Sequence, residues 1–466
     1  MSTASADETG DLTWLPAWQL REMIGKGEVS PVEVTEHFLG RVEQLDPVLK
    51  AFATLDASGA RAQAKRAEDA VRRGDELGPL HGIPISAKEH IPIAGLPTQQ
   101  LFGPNVSMAT RDELGIGRLR DAGAIVFGTN RQMGTRGGAL ESGDPADLGA
   151  YDWTLEARNP WDPSRTPGWS SAGPAAAAAA RLVPIAIGSD GGGSTRLPGA
   201  YSGVVGFHPT PNLIPSVDYT GLRSWPTLTI GPLCREVRDA AIALQVMAGP
   251  DGRDFLCQQI DPPDYLDRLE AGVDGLHLAW TDDYGFTGMY AEAESPRLID
   301  TARSAAEGFR ALGASVDATN TVWEDFFPGV MAMQLAAAGA ADPEAWVTSL
   351  DTRGRNWQRF RDLFADHDLL LSVTSQLLPK KVEDWDAAWT RDGANYPHGT
   401  FAPVYTSHTY MFNWLGFPAV SVPCGYVEGL PVGLQIVGLP GREDLILRAA
   451  AAFQSAHPHR ERPAVA

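Results

Sequence analysis

The chain has 466 residues, of which 43% are hydrophobic and 21% charged, so it can bury a sizeable core, and its formal net charge is −20. That charge argues against nucleic acid or an anionic membrane as partner, because such surfaces are held by clustered Lys and Arg and no basic run of that kind occurs. Cys234, Cys257 and Cys424 are widely separated and form no CxxC pair, which points to a reducing, cytoplasmic setting.

The start, MSTASADETGD, is acidic and polar, without the order of a signal peptide. No apolar run approaches the roughly 20 residues of a membrane span. Ser30-Pro31-Val32-Glu33 predicts a capping box with proline at the first helical position, opening a helix that ends near Asp46-Pro47. Ala57 to Arg73 predicts a second helix, stopped by Gly74. Gly78 to Lys88 reads as a turn and a short apolar strand that closes on a lysine. A helix from Leu114 to Ala122 precedes a strand from Ala124 to Gly128. Residues 140–157 are polar and aperiodic and read as a surface loop. The alanine-rich run before Arg181 predicts a buried helix, and Leu182 to Ile187 a buried strand.

Further on, Asp239 to Ala248 reads as helix and His277 to Thr281 as strand. Ser295 to Leu312 reads as helix, and Ser315 to Asp317 and Asp368 to Thr374 as strands. Residues 336–343 are small and weakly committed, and are expected to be a mobile flap. Pro418 to Gly425 and Leu430 to Gly438 predict neighbouring strands, and a last helix runs from Arg442 to about Ala456. Such alternation of strand and helix predicts one large α/β domain with crossover connections and a mostly parallel sheet.

Several sites can be dismissed. There is no HExxH or comparable ligand cluster, no GxxxxGK[ST] loop, no GxSxG elbow and no SxxK, so no metal and no cofactor are expected. The glycines at 191–193 follow a strand, but Arg196 and Pro198 stand where a phosphate-binding helix would begin. What remains is Ser170-Ser171 in a tight turn, Ser194 delivered by Gly191-Gly192-Gly193, and Lys88 at a strand end. A serine hydroxyl needs a base, and lysine serves as one only when burial lowers its pKa. Backbone N–H groups of Gly191, Gly192, Gly193 and Ser194 could converge on an oxyanion. Asp190 and Arg196 flank the turn and could pair to hold it. Each feature alone has a plainer reading: a lysine capping a strand, serines capping a helix, a solvated surface turn.

Taken together, these segments resemble the amidase signature hydrolases. GPLHGIPISAKEHIPIAGLPT is similar to that family's lysine-bearing segment. RNPWDPSRTPGWSSAGPAAAAAA resembles its glycine/serine segment, and GSDGGGSTRLPGAYSGVVGFHPT its nucleophile segment. IGPLCREVRDAAIALQVMAGPD and NWLGFPAVSVPCGYVEGLPVGLQIVG resemble later stretches. The resemblance runs over about residues 28–455 in the family's order. It implies a single domain over 1–466, with residues 1–11 flexible, built on a large twisted mixed sheet covered by helices.

The resemblance also implies Ser194 as nucleophile, Ser170 as proton relay after a cis peptide bond, Lys88 as base, and Ser171 as an orienting neighbour. The chain departs from the family's pattern where Trp169 replaces a glycine before the cis bond and where Glu89-His90 stand for Asp-Asn. It also departs where Ala172 and Pro174 replace a glycine and a serine, and where Gly191 replaces a larger residue. The expected activity is hydrolysis of apolar or aryl amides of small molecules, with esters and carbamates (urethanes) as further substrates. The expected assembly is a monomer or homodimer. Substrate contacts are expected from Trp169, before the cis bond, and from Met133, Gly134 and Trp225, with the pocket lined by Met133 to Leu140, residues 140–157, Tyr219 to Trp225 and Phe326 to Trp346. An A-type amidotransferase subunit working in a complex, and a non-catalytic binding protein on the same fold, are the alternatives. The departures, and the lack of a basic run for tRNA, speak against the first.

Overall fold

The computed structural model describes residues 11–99, 106–133, 155–217, 227–325, 327–329, 332, 343–383 and 405–466. Its helices start and stop where local chemistry dictates. In α2 (Pro31–Leu49), which follows α1 (Ala17–Lys26), the Glu33 N–H donates to Ser30 Oγ at 3.1 Å and the Ser30 N–H to Glu33 Oε2 at 2.8 Å. This is the reciprocal box that the sequence predicts. α2 outruns its expected end at Pro47, because a proline in the last turn removes only one intrahelical bond. The Asp46 carboxylate then accepts the N–H groups of Ala51 and Phe52 beyond the helix, at 2.7 and 3.2 Å. α3 (Ala57–Arg73) ends on Gly74 with φ of 73°, as the sequence requires.

The strands are β1 (Phe52–Leu55), β2 (Pro84–Lys88), β3 (Pro97–Gln99), β4 (Val106–Met108), β5 (Ile125–Asn130), β6 (Ile185–Asp190) and β7 (Val205–His208). They continue with β8 (Thr229–Cys234), β9 (His277–Trp280), β10 (Ser315–Ala318), β11 (Leu369–Val373), β12 (Ala419–Val427) and β13 (Leu430–Val437). Among the described residues, eleven of them form one sheet in the order β1-β5-β2-β6-β8-β7-β12-β13-β11-β9-β10, while β3 and β4 pair apart. The sheet is mixed, as the family resemblance implies, and not mostly parallel as the alternation of elements suggests. β5-β2-β6 and β11-β9-β10 run parallel, and the pairs from β6 through β13 to β11 run antiparallel, as does β1 with β5. Alternation of strands and helices cannot reveal this. β12 and β13, for instance, are joined directly by Glu428-Gly429, both at positive φ (53° and 77°), the twist a two-residue hairpin needs.

Helices α4 (Leu114–Asp121), α5 (Ala172–Ala179), α6 (Arg196–Ser202), α7 (Val237–Met247), α8 (Ser295–Glu307), α9 (Pro343–Asp366), α10 (Tyr410–Leu415) and α11 (Glu443–Ala456) complete the described elements. α1, α6, α9 and α10 are not foreseen by the sequence reading. Pro343, assigned to the 336–343 flap, is instead the first residue of α9, and the rest of that segment lies outside the described residues. α6 begins at Arg196 because proline within a first turn has no N–H to leave unpaired, so Pro198 does not prevent it.

One large buried cluster joins the sheet to its helices and already includes Ala17, Leu20 and Ile24, ahead of residue 28. Asp11, expected to be flexible, caps the turn Leu12–Trp14 by accepting the Thr13 N–H at 3.0 Å. A second, aromatic cluster contains Tyr284, Trp323, Phe360, Tyr410, Phe412 and Phe417, with Trp323 stacked on Phe360 at 4.7 Å. No helix among the described residues is long and apolar enough to cross a membrane.

Candidate active site

Lys88 is the last residue of β2 and is completely buried. Its Nζ donates to Ser170 Oγ at 2.7 Å and to Ser189 Oγ at 3.1 Å. Burial pushes the amine pKa down from 10.5 to about 7, against the opposing pull of Asp190 and Glu89. Ser170 follows a cis peptide bond from Trp169, and its hydroxyl stands 3.3 Å from Ser194 Oγ. Amine, hydroxyl and hydroxyl therefore form one chain from the buried end of β2 to the half-buried Ser194.

The alanine helix makes this approach possible. All residues of α5 are buried, and a Cβ on Gly173 would sit 2.5 Å from Ala51 O and 2.6 Å from Arg131 backbone atoms. Only glycine lets the helix start so close to the end of β5. Ser171 holds the N-cap position, yet its hydroxyl caps nothing. It donates to Ser189 O at 3.1 Å and accepts the Ser189 N–H at 3.2 Å. It thus braces the strand that presents Ser189 rather than touching the Ser170 hydroxyl, as its expected orienting role would require. The neighbouring Gly188 is needed there, since a Cβ would lie 2.8 Å from Ser171 Oγ.

Ser189 was missed by the sequence reading. The expected strand ends at Ile187, whereas β6 runs on to Asp190, and both the pairing of β6 with β2 and the face Ser189 takes come from the sheet.

The glycine turn is organised by Asp190. Gly193 N–H donates to Asp190 Oδ1 at 2.6 Å, so it is not available to an oxyanion, contrary to expectation. The N–H groups of Gly191, Gly192 and Ser194 have no acceptor among the described residues. Gly193 has φ of 121°, and a Cβ there would fall 2.0 Å from Thr409 Oγ1, so the turn is closed to any other residue. Thr409 also holds the turn by donating to Gly192 O at 2.8 Å.

Asp190 and Arg196 do pair, and both are fully buried. Arg196 Nε and Nη2 donate to Asp190 Oδ2 and Oδ1 at 3.0 and 3.1 Å, the forked geometry of a guanidinium on a carboxylate. Asp190 also accepts from Thr195 Oγ1 at 2.8 Å and Asn413 Nδ2 at 2.8 Å. Arg196 and these donors hold the Asp190 carboxyl well below its usual range, although burial works the other way. Because Asp190 Oδ2 also takes the Thr195 N–H at 3.2 Å, the N-terminus of α6 is filled by a carboxylate of the protein itself.

Of the expected substrate contacts, Trp169 is half-buried beside Ser170 and packs against the aromatic cluster. Met133 is 1% exposed, its sulfur accepts from Thr166 Oγ1 at 3.1 Å, and its N–H donates to Ser170 O at 3.0 Å. It supports the Ser170 loop from behind and offers no open surface. Gly134 and Trp225, and most of the four stretches expected to line the pocket, lie outside the described residues. No group of three or more His, Cys, Asp or Glu residues able to hold a metal ion occurs among the described residues.

Comparison with known proteins bears on this arrangement. The family model described as Amidase matches residues 33–338 and 319–447. An acylamidase of Rhodococcus erythropolis is 31% identical over 480 residues, covering 96% of each chain. The A-type subunit of the glutamyl-tRNA(Gln) amidotransferase from a Synechococcus species is 32% identical over 487 residues, covering 94% of this chain and 96% of that protein. The crystal structure of a bacterial aryl acylamidase of the amidase signature family superposes with a TM-score of 0.77 at 25% identity, covering 96% of this chain and 97% of the other.

Proposed function

The chain belongs to the amidase family, and on that premise we propose that it is a serine hydrolase cleaving the C–N bond of apolar or aryl amides of small molecules. The observation that carries this reading is the chain from Lys88 Nζ through Ser170 Oγ to Ser194 Oγ, at 2.7 and 3.3 Å. A lysine with a pKa of about 7 is partly neutral under ordinary conditions, so it can accept the proton that Ser170 passes on from Ser194. Ser194 Oγ then bonds to the carbonyl carbon, and the oxyanion lies against the N–H groups of Gly191, Gly192 and Ser194. As the C–N bond breaks, the proton returns through Ser170 to the leaving amine. Water, deprotonated along the same route, releases the acyl group from Ser194.

Trp169 beside Ser170, and Tyr410, whose Cβ lies 3.6 Å from where a Cβ on Gly192 would stand, supply an aromatic setting next to the reacting carbonyl. That setting supports an apolar or aryl substrate, and one of the similar solved structures is an aryl acylamidase. Carbamates and esters present the same carbonyl to the same groups and are proposed as further substrates. Hydrolysis of p-nitroacetanilide and of a p-nitrophenyl carbamate by the wild type, lost in Ser194→Ala, is the expected outcome. Full activity in Ser194→Ala would remove the nucleophile assignment. The amidotransferase relative supports a second reading, in which the chain releases ammonia from glutamine within a complex. Glutaminase activity that appears only on adding a partner, with no arylamide hydrolysis, would favour it.

A further inference from the structure

Two buried polar side chains beside Lys88 play no part in the chemistry above. Lys88 opens a β-turn closed by the Ile91 N–H on the Lys88 carbonyl at 2.8 Å, which puts His90 in the turn. His90 is 2% exposed and its Nδ1 lies 2.8 Å from Gln132 Oε1. An amide oxygen only accepts, so Nδ1 carries the proton and Nε2 is left as an acceptor. That Nε2 is buried without a partner among the described residues. Burial, with the Lys88 ammonium close by, holds the ring neutral, its pKa pushed down to about 3.

On the adjacent strand, Asn130 is the parallel register partner of Lys88 and is fully buried. Neither its amide oxygen nor its amide nitrogen has a partner among the described residues. Lys88 has three donor directions, of which Ser170 and Ser189 take two.

An amine with one open direction, a carboxamide open at both ends and an imidazole acceptor thus all sit where β2 and β5 end. Buried polar groups are almost always satisfied, by protein or by water, and a buried water needs two to four polar partners. We propose that His90 and Asn130 are positioning residues for Lys88, acting through one shared buried water that takes the third hydrogen bond of the amine and passes it to His90 Nε2. This rests on the reading of Lys88 as the base. It also gives a physical role to His90, at a position where the sequence departs from its family's pattern.

The other charged groups acting on Lys88 are Asp190 from β6 and Glu89 from the turn, both of which favour the ammonium. α5 contributes no titratable group, and Arg131, next to Asn130, acts on Asp46.

The test is a direct titration of Lys88 by NMR in lysine-labelled protein, with the signal assigned by its absence in Lys88→Met. Removing an acceptor from the ammonium shell favours the neutral amine. His90→Leu and Asn130→Leu should therefore each raise the acid dissociation constant of Lys88 at least about threefold, and Asn130→Asp should lower it. In active enzyme, the rise of kcat/KM with pH should move in the same directions, with kcat reduced more than KM is changed. His90→Asn, which keeps an acceptor, should recover part of the wild-type value and covers the case in which the leucine variants do not fold. Folded variants that titrate as the wild type does would overturn the proposal, since a packing role alone would alter stability and leave Lys88 unmoved. The titration needs no turnover, so an inactive wild type would count against the proposed function and not against this inference.

Discussion

At the scale of single residues, the decisive quantity is the protonation of Lys88. With a pKa of about 7, kcat/KM for amide hydrolysis is expected to rise through neutral pH along one ionisation and level off above it. Lys88→Ala should lower kcat by about 10²–10⁴-fold, the usual worth of a positioned base. The same group makes a stability prediction. The unfolded lysine binds its proton up to about pH 10.5 while the folded one releases it near 7, so the unfolded state holds more protons between those values. The contribution of Lys88 to folding therefore becomes less unfavourable as pH rises from about 7 to 10.5. Lys88→Met should raise the melting temperature most below pH 7, with the gain shrinking by pH 10. A gain independent of pH in thermal melts would show that the amine is not desolvated as described. The presence of Lys88, Ser170 and Ser194 could be picked out in the sequence. The Ser189 contact and the loss of the Gly193 N–H to Asp190 could not, because both depend on which way a side chain turns at a strand end.

At the scale of elements, the loop between β6 and α6 is held by the Asp190–Arg196 pair and by Thr409 from the segment before α10. Gly193→Ala places a methyl 2.0 Å from Thr409 Oγ1 at a φ reserved for glycine. It is expected to cost about 1–3 kcal/mol in denaturant unfolding and to displace the Gly192 and Ser194 donors. Loss of one such donor corresponds to about 10²–10³-fold in kcat. Arg196→Leu leaves the Asp190 carboxylate buried without its main counter-charge, for a loss of about 3–5 kcal/mol measured by the same unfolding experiment. A variant as stable as the wild type would mean that Asn413 and Thr195 suffice to hold Asp190. Helix boundaries such as Ala57–Arg73, with its terminal Gly74, were legible because capping is local. α6 was not, because its start is stabilised by Asp190 acting across the glycine turn.

At the scale of the whole molecule, the chain is one α/β domain whose sheet brings β2, β5 and β6 side by side, so that residues 88, 130 and 189 become neighbours. The sequence by itself determined the positions of most strands and helices, the large apolar core, and the segments bearing the lysine and the two serine loops. These follow from periodicity, capping and glycine placement, all of which act over a few residues. The mixed sheet was implied by the family resemblance but not by the alternation of elements, and only the tertiary structure decided the strand order, that the Gly193 N–H faces Asp190, and that Met133 lies behind the Ser170 loop. It alone also decided that Asn130 is the register partner of Lys88 and that His90, in the turn after β2, is buried. Strand order and side-chain facing come from contacts between segments tens to hundreds of residues apart, and hydrophobic pattern carries no record of which strand pairs with which.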